Sequence, residues 1–340
     1  MPRDAPRPTI RDVALAARVS TATVSQAFNP EGRIAAATRA HVLAVAERLG
    51  YQPSSVGRAL RTGRTGVLGV VPSFREASTD RSAYLGRLRA VTAGVVEGAA
   101  AHGCGVVAAQ AGGDGRVTAP LAYDGLVLVD PMPGDPVIER ALHAKTPVVT
   151  VFGAVDERDA RAVRSVAVDI AAPLVRYLDR VSQTVDDFRP AIFVGSRLDA
   201  FTHEALRSFQ AWCAGRGVTA AGAALQPGET AADGARRLLG VRVPPTVVVC
   251  LDEPSARAVR VEACGLGMAV PDRVRVAAVG DAHPFDPAGG VDVFAVDAAA
   301  CGVAAAEVLA ALIGQGDAHS VRIRPADPID EKSFMRSRGR

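Results

Sequence analysis

The stretch Thr9–Asn29, TIRDVALAARVSTATVSQAFN, decides how the rest of this 340-residue chain is read. Val13, Ala14, Ala17 and Val19 recur at helical spacing, and Val24, Ala27 and Phe28 form a second apolar face. Thr9 with Asp12 three residues on has the form of a capping box and predicts a helix from Ile10. Ser20 is a favoured N-cap and predicts a second helix from Thr21. The small side chains of Ala14 and Ala17 allow the two helices to cross closely. Two short helices joined by a tight turn make a helix-turn-helix, whose second helix fits the major groove of DNA.

The residues Asp12-Val13-Ala14, Val19-Ser20, Thr23-Val24-Ser25 and Asn29 resemble the start of the LacI (lactose-repressor type) family of transcription regulators. The resemblance continues through Thr38-Arg39, Gly50-Tyr51-Gln52-Pro53 and Ala59-Leu60-Arg61-Thr62-Gly63. One departure is Arg18, which stands in the turn where the family often has Gly; left-handed backbone there costs a non-glycine residue roughly 1 kcal/mol. The resemblance implies a sequence-specific DNA-binding regulator, a repressor working as a homodimer on a near-palindromic operator. By motif position Thr21, Ala22 and Gln26 face base edges, and a Gln can pair bidentately with adenine N6 and N7. Ser20, Thr23, Ser25 and Asn29 fall at phosphate-contact positions, although Thr23 and Ser25 also read as plain helix surface. In the family the segment matching Ser54–Arg61 is a hinge helix. It orders when two subunits dock, and its leucine, Leu60 by position, wedges into the minor groove. Eight residues are too few for a stable helix alone in water, and a plain linker is the other reading of this segment.

Charge supports a nucleic-acid partner for the head alone. Residues 1–65 hold ten Arg and four acidic residues, a balance of +6, against +3 for the whole chain. The body is therefore mildly acidic. No apolar run is long enough to cross a bilayer, and the opening MPRDAPRPTIRD has no apolar signal core, so no membrane partner and a cytoplasmic location are expected. The five Cys are scattered without paired spacing, and the His show no metal-binding pattern. They predict buried small residues in a reducing compartment, no metal and no cofactor.

The expected fold class is α/β: an all-α head followed by a two-lobed core with parallel sheets. Residues 1–8 are expected as a disordered arm, 9–53 as the head, 54–65 as hinge helix and linker, 66–335 as the core and 336–340 as a disordered tail. A third head helix is predicted from Thr38 to Leu49, ended by Gly50 and Pro53. From Gly66 onward, Val-rich runs alternate with Ala-rich helical stretches. Strands are predicted at Gly66–Val71, Gly105–Ala109, Gly125–Val129, Val148–Phe152, Val166–Val168, Ala191–Val194, Val247–Cys250, Val274–Val279 and Val293–Val296. Near-continuous apolar strands separated by helices imply parallel sheets covered on both faces. The resemblance makes this a periplasmic-binding-protein-like core of two lobes with a ligand cleft between them. Between Ala109 and Gly125 the glycines and Pro120 leave no room for the helix a family member carries there, so the first lobe is expected to be thinner on one side.

The cleft departs most from the family pattern. Sugar-binding members carry an Arg where alignment places Ala205, and an Asn-Asp pair where Leu251-Asp252 stand. The Asp after a later strand falls at Asp281 or Ala282, and a polar pair near the last core strand is reduced to Asp297. Two readings follow: an effector that is not a sugar and prefers a more apolar cleft, or a core that binds nothing and serves to dimerise. No phosphate-binding loop, nucleophile elbow or acid/base pair is present, so no catalytic residue is assigned and no enzyme is expected. Alternative readings are a solute-binding protein of the same core fold and an α/β enzyme, both of which leave the basic head unexplained.

Overall fold

The computed structural model describes residues 8–28, 32–51, 63–73, 81–132, 134–152, 162–195, 200–226, 228–281, 290–314, 316 and 318–325. The expectations for the arm before residue 8, the hinge with Leu60, Asn29, Ala282 and the tail lie outside the described residues. The chain divides into two compact units, Met1–Gly66 and Val67–Arg340.

The first unit contains three helices: α1 (Ile10–Ala17), α2 (Thr21–Ala27) and α3 (Ala36–Leu49). The Thr9 amide and hydroxyl donate to Asp12 Oδ2 at 2.7 and 2.8 Å, tying down the start of α1. These bonds hold the Asp12 carboxyl below its usual pKa, the backbone bond first. Arg18 takes the left-handed backbone (φ 55°, ψ 43°) that its place in the turn demands. Ser20 Oγ accepts from the Thr23 amide at 3.0 Å and starts α2. Gly50 (φ 66°) ends α3, which starts two residues earlier than predicted because Ala36 and Ala37 extend it at no steric cost. Val13, Ala17, Val24, Ala27, Val42, Val45 and Ala46 fill the small core, and Phe28 meets Tyr51 edge-on at 5.7 Å.

The second unit is built on two parallel sheets. Lobe 1 takes β1 (Val67–Pro72), α4 (Arg81–Ala101), β2 (Gly105–Ala108), β3 (Gln110–Ala111), β4 (Val117–Thr118), β5 (Gly125–Val129), α5 (Pro136–His143), β6 (Val148–Val151) and β7 (Arg164–Val168). Lobe 2 takes α6 (Ala171–Ser182), β8 (Pro190–Val194), α7 (Ala200–Arg216), β9 (Ala221–Ala224), α8 (Ala231–Leu239), β10 (Val247–Cys250), α9 (Glu253–Gly265), β11 (Arg275–Asp281) and β12 (Val291–Val296). The chain then returns to lobe 1 with α10 (Ala298–Ile313) and β13 (Val321–Ile323). The strand order is β13-β7-β6-β5-β1-β2 in one sheet and β12-β11-β10-β8-β9 in the other. Every pairing within these two sheets is parallel.

Both faces of each sheet are covered, which is why β5 and β8 are buried along their whole length. In lobe 1, α4 and α10 cover one face. The other is covered by α5 and by the small β3–β4 hairpin, which occupies the stretch where a helix was excluded. In lobe 2, α6 and α7 cover one face and α8 and α9 the other. Phe201 and Val279 pack against the core of both lobes. The α4–α10 contact is backbone against backbone: a Cβ on Gly94 would lie 1.9 Å from the Ala299 carbonyl oxygen, and one on Gly302 would lie 2.1 Å from that of Val91.

Candidate functional site

The exposed face of α2 is set by its cap and its period. With Val24 and Ala27 buried in the core, Thr21, Ala22 and Gln26 are left on the outside. Those three are the residues that motif position assigns to base edges, and the helix brings them to one face. Ser20 and Thr23 are engaged within the head: Ser20 Oγ caps the helix and shares a 2.9 Å hydrogen bond with Thr23 Oγ1. Ser25 is partly buried. Gln26 Oε1 accepts from the Arg33 amide at 3.2 Å, a contact that the spacing of the sequence does not reveal. Around this face Arg11, Arg18, Arg33 and Arg48 are exposed, so the charge excess of the head lies on its surface.

In the core, the expected cleft residues divide. Ala205 is fully buried and Leu251 nearly so, both inside the lobe 2 core, and the structure therefore corrects their placement at a ligand surface. An alanine on α7 at that register faces the sheet, where its methyl group fills the interior. Asp252, Asp281 and Asp297 do meet at one edge, the carboxyl ends of the adjacent strands β10, β11 and β12. Two of them cap helices. Asp252 Oδ1 accepts from the Ser255 amide at 2.7 Å at the start of α9, and Asp297 Oδ1 accepts from the Ala300 amide at 2.8 Å at the start of α10.

The carboxyl edge of the lobe 1 sheet carries a polar group that the sequence reading missed. Asp130, directly after β5, is buried and ion-paired with Arg87 of α4, with Nη2 to Oδ2 at 2.9 Å. The Arg87 guanidinium lies 5.5 Å from the ring centre of Phe152, directly after β6. Ser73, after β1, donates to Asp135, whose other oxygen accepts from the Val137 amide at 2.9 Å and caps α5. The one sequence signal for this group is an Asp closing a run of five apolar residues, GLVLVD. Among the described residues no cluster of His, Cys, Asp and Glu could hold a metal ion, and no helix is long and apolar enough to cross a membrane.

Residues 9–54 match the family described as bacterial regulatory proteins, lacI family, and residues 186–334 match the periplasmic binding protein-like domain. The chain is 41% identical over 108 residues to the maltose regulon regulatory protein MalI of Escherichia coli K12, which is 32% of this chain and 29% of that protein. It is 32% identical over 177 residues to an HTH-type transcriptional regulator of Mycobacterium tuberculosis, covering 49% of this chain and 47% of that one. The chain thus spans less than half the length of either relative. Among solved structures its fold is similar to the lac repressor dimer bound to operator and the anti-inducer ONPF, with TM-score 0.72, 15% identity, and 96% and 100% of the two chains covered. It is also similar to a complex of the transcriptional regulator CelR with cellobiose, with TM-score 0.64, 20% identity, and 94% and 97% covered.

Proposed function

Because the chain joins a lacI-family DNA-binding head to a periplasmic-binding-protein-like core, we propose that it is a sequence-specific transcriptional regulator, a repressor, whose operator affinity is set by a small molecule bound between the core lobes. The observation that carries this reading is the capped α2, which leaves Thr21, Ala22 and Gln26 on one exposed face of a head with exposed arginines. We place the head at residues 9–53, the hinge and linker at 54–65 and the core at 66–335. Two copies read the two halves of a near-palindromic operator in the cytoplasm, with Leu60 of each hinge wedged into the minor groove between them. A ligand that favours one lobe arrangement by a few kcal/mol shifts the hinge between ordered and frayed, and so changes DNA affinity.

The test is binding of the purified full-length protein to DNA from upstream of its own gene across a salt series, followed by a random-sequence selection. Tight, sequence-selective binding with a log–log salt slope of roughly −5 to −9 fits about six to ten phosphate contacts per dimer. Failure to bind or to enrich any DNA in both formats would sink the reading.

A further inference from the structure

Two L-residues hold left-handed backbone at neighbouring strand ends of the lobe 1 sheet: Asp130 (φ 54°) after β5 and Phe152 (φ 65°) after β6. Such backbone is strained for a residue with a Cβ, and strain of this kind persists where the surrounding structure enforces it, often at ligand sites. The carboxyl edge of a parallel sheet is also where open α/β folds take their ligands. Both strained residues converge on one cation. Arg87 donates Nη2 and Nε to Asp130 Oδ2 at 2.9 and 3.3 Å and stacks on the Phe152 ring at 5.5 Å. Asp130 is 1% exposed and Phe152 7%, whereas the Arg87 side chain is 37% exposed. A molecule arriving at this edge therefore meets the guanidinium, with its carboxylate and ring partners behind it.

We propose that Arg87, oriented by Asp130 and Phe152, is the ligand-recognising cation of lobe 1, and that the effector is a small molecule carrying an oxyanion, a carboxylate or a phosphate. The inference rests on the proposed regulatory reading for the word effector and on the geometry for the site. A guanidinium is a planar donor with no acceptor, so it selects acceptors. Charge-assisted hydrogen bonds to an anion are roughly twice as strong as neutral ones, and the fork matches two oxygens at once. Fixing the fork before the ligand arrives reduces the ordering cost of binding. The neighbouring acid Asp135 is occupied at the start of α5 and by Ser73, so its charge is committed within the protein. Lobe 2 buries Ala205 in its core, so the position where the family resemblance expects a sugar-binding Arg offers no donor to a polyol.

The experiment uses full-length protein, with thermal shift and calorimetry on matched probes: benzoate against benzamide, succinate against succinamide, glutamate against glutamine, glucose 6-phosphate against glucose, and inorganic phosphate. The expected result is that at least one anion raises the melting temperature at 10 mM and binds at least tenfold tighter than its neutral partner. The carboxylate and phosphate arms identify which oxyanion it is. Arg87→Met should weaken that binding at least tenfold and Arg87→Lys by a smaller factor, since lysine keeps the charge and loses the fork. Because Arg87→Met leaves Asp130 without its ion pair, the double variant Arg87→Met/Asp130→Asn provides a second, charge-balanced test of the same loss. Neutral probes binding as well as the anions, binding unchanged in the Arg87 variants, or no response to any anion at 10 mM would each overturn the proposal. DNA selection on the same preparation separates the two readings: enrichment without an anion response fails this site alone, and an anion response without enrichment fails the regulatory role alone.

Discussion

Arg39 donates from Nη1 to the carbonyl of Ala27 at 2.7 Å, and so closes the end of the helix that carries Thr21, Ala22 and Gln26. Its Nη2 reaches the Gly32 carbonyl at 2.8 Å, so one fork holds the end of α2 and the approach to α3 together. Hydrogen bonds from a charged group contribute about 1.5–3 kcal/mol each. Arg39→Ala should weaken operator binding at least tenfold by loosening α2. The salt slope tells positioning from phosphate contact: it should stay unchanged, because a lost phosphate contact would make it shallower by about 0.9. A shallower slope would move Arg39 from the scaffold to the DNA interface.

Gln26 should not read adenine. Its Oε1 is held by the Arg33 amide at 3.2 Å, which turns the amide nitrogen into the group offered to DNA. A donor finds acceptors on guanine O6 and N7 or thymine O4, whereas the bidentate adenine pair needs the oxygen as well. A random-sequence selection should show guanine or thymine opposite Gln26, and Gln26→Ala should relax that position alone. Adenine at that position would mean that the Arg33 contact breaks on binding. No change with Gln26→Ala would remove Gln26 from base reading.

These cases mark what local sequence can and cannot display. The run Gly125–Val129 is legible as a strand at its full length because five consecutive apolar residues need both faces covered. The exposed trio on α2 is legible because a cap and a 3.6-residue period fix the face. The strand Ala221–Ala224 is not legible: Ala and Gly carry no strand signal, and the segment is extended because the edge of β8 offers it partners. Nor are the short strands of the β3–β4 hairpin or β13, which are too brief to show a period. Arg87, Asp130 and Phe152 escape because they meet through tertiary structure, with 43 residues between the ion-paired partners. Ala205 misleads in the opposite direction, since an aligned position says nothing of which way a shortened side chain is buried.

The glycines of α4 and α10 test how close the two helices must be. A methyl group added at Gly302 would lie 2.1 Å from the Val91 oxygen and 2.8 Å from the Val95 nitrogen, so the backbones would have to part. Overpacking of this kind costs about 1–3 kcal/mol, occasionally more. Gly215, near the end of α7, has nothing within 4 Å of the place an added methyl group would take, and alanine there should gain about 0.5–1 kcal/mol from the lower backbone entropy of the unfolded chain. Denaturant unfolding of the core should therefore move in opposite directions for Gly302→Ala and Gly215→Ala. A neutral Gly302→Ala would show that the α4–α10 crossing has slack.

Tyr177 sets an alkaline limit on the core. It is buried, donates to Asp292 Oδ2 at 2.8 Å, and meets Phe294 edge-on at 5.3 Å. Burial pushes its phenol well above the usual tyrosine value, the Asp292 charge adds to this, and Arg275, 2.7 Å from the same oxygen, partly opposes it. A pKa raised in the folded state means that the unfolded chain gives up the proton first. The contribution is therefore complete below the unfolded value near 10 and is lost as pH rises toward the folded one. Each unit of pH in that window should remove up to about 1.4 kcal/mol of stability. Tyr177→Phe should cost about 1 kcal/mol at neutral pH, the value of one hydrogen bond, since Arg275 still satisfies Asp292. Above pH 10 the gap between the two proteins should then close, because the phenylalanine has no proton to lose. The buried thiol of Cys250, also pushed up by burial, is common to both proteins and cancels in the comparison. Parallel stability curves for the two proteins from pH 8 to pH 11 would show that the phenol does not control alkaline unfolding.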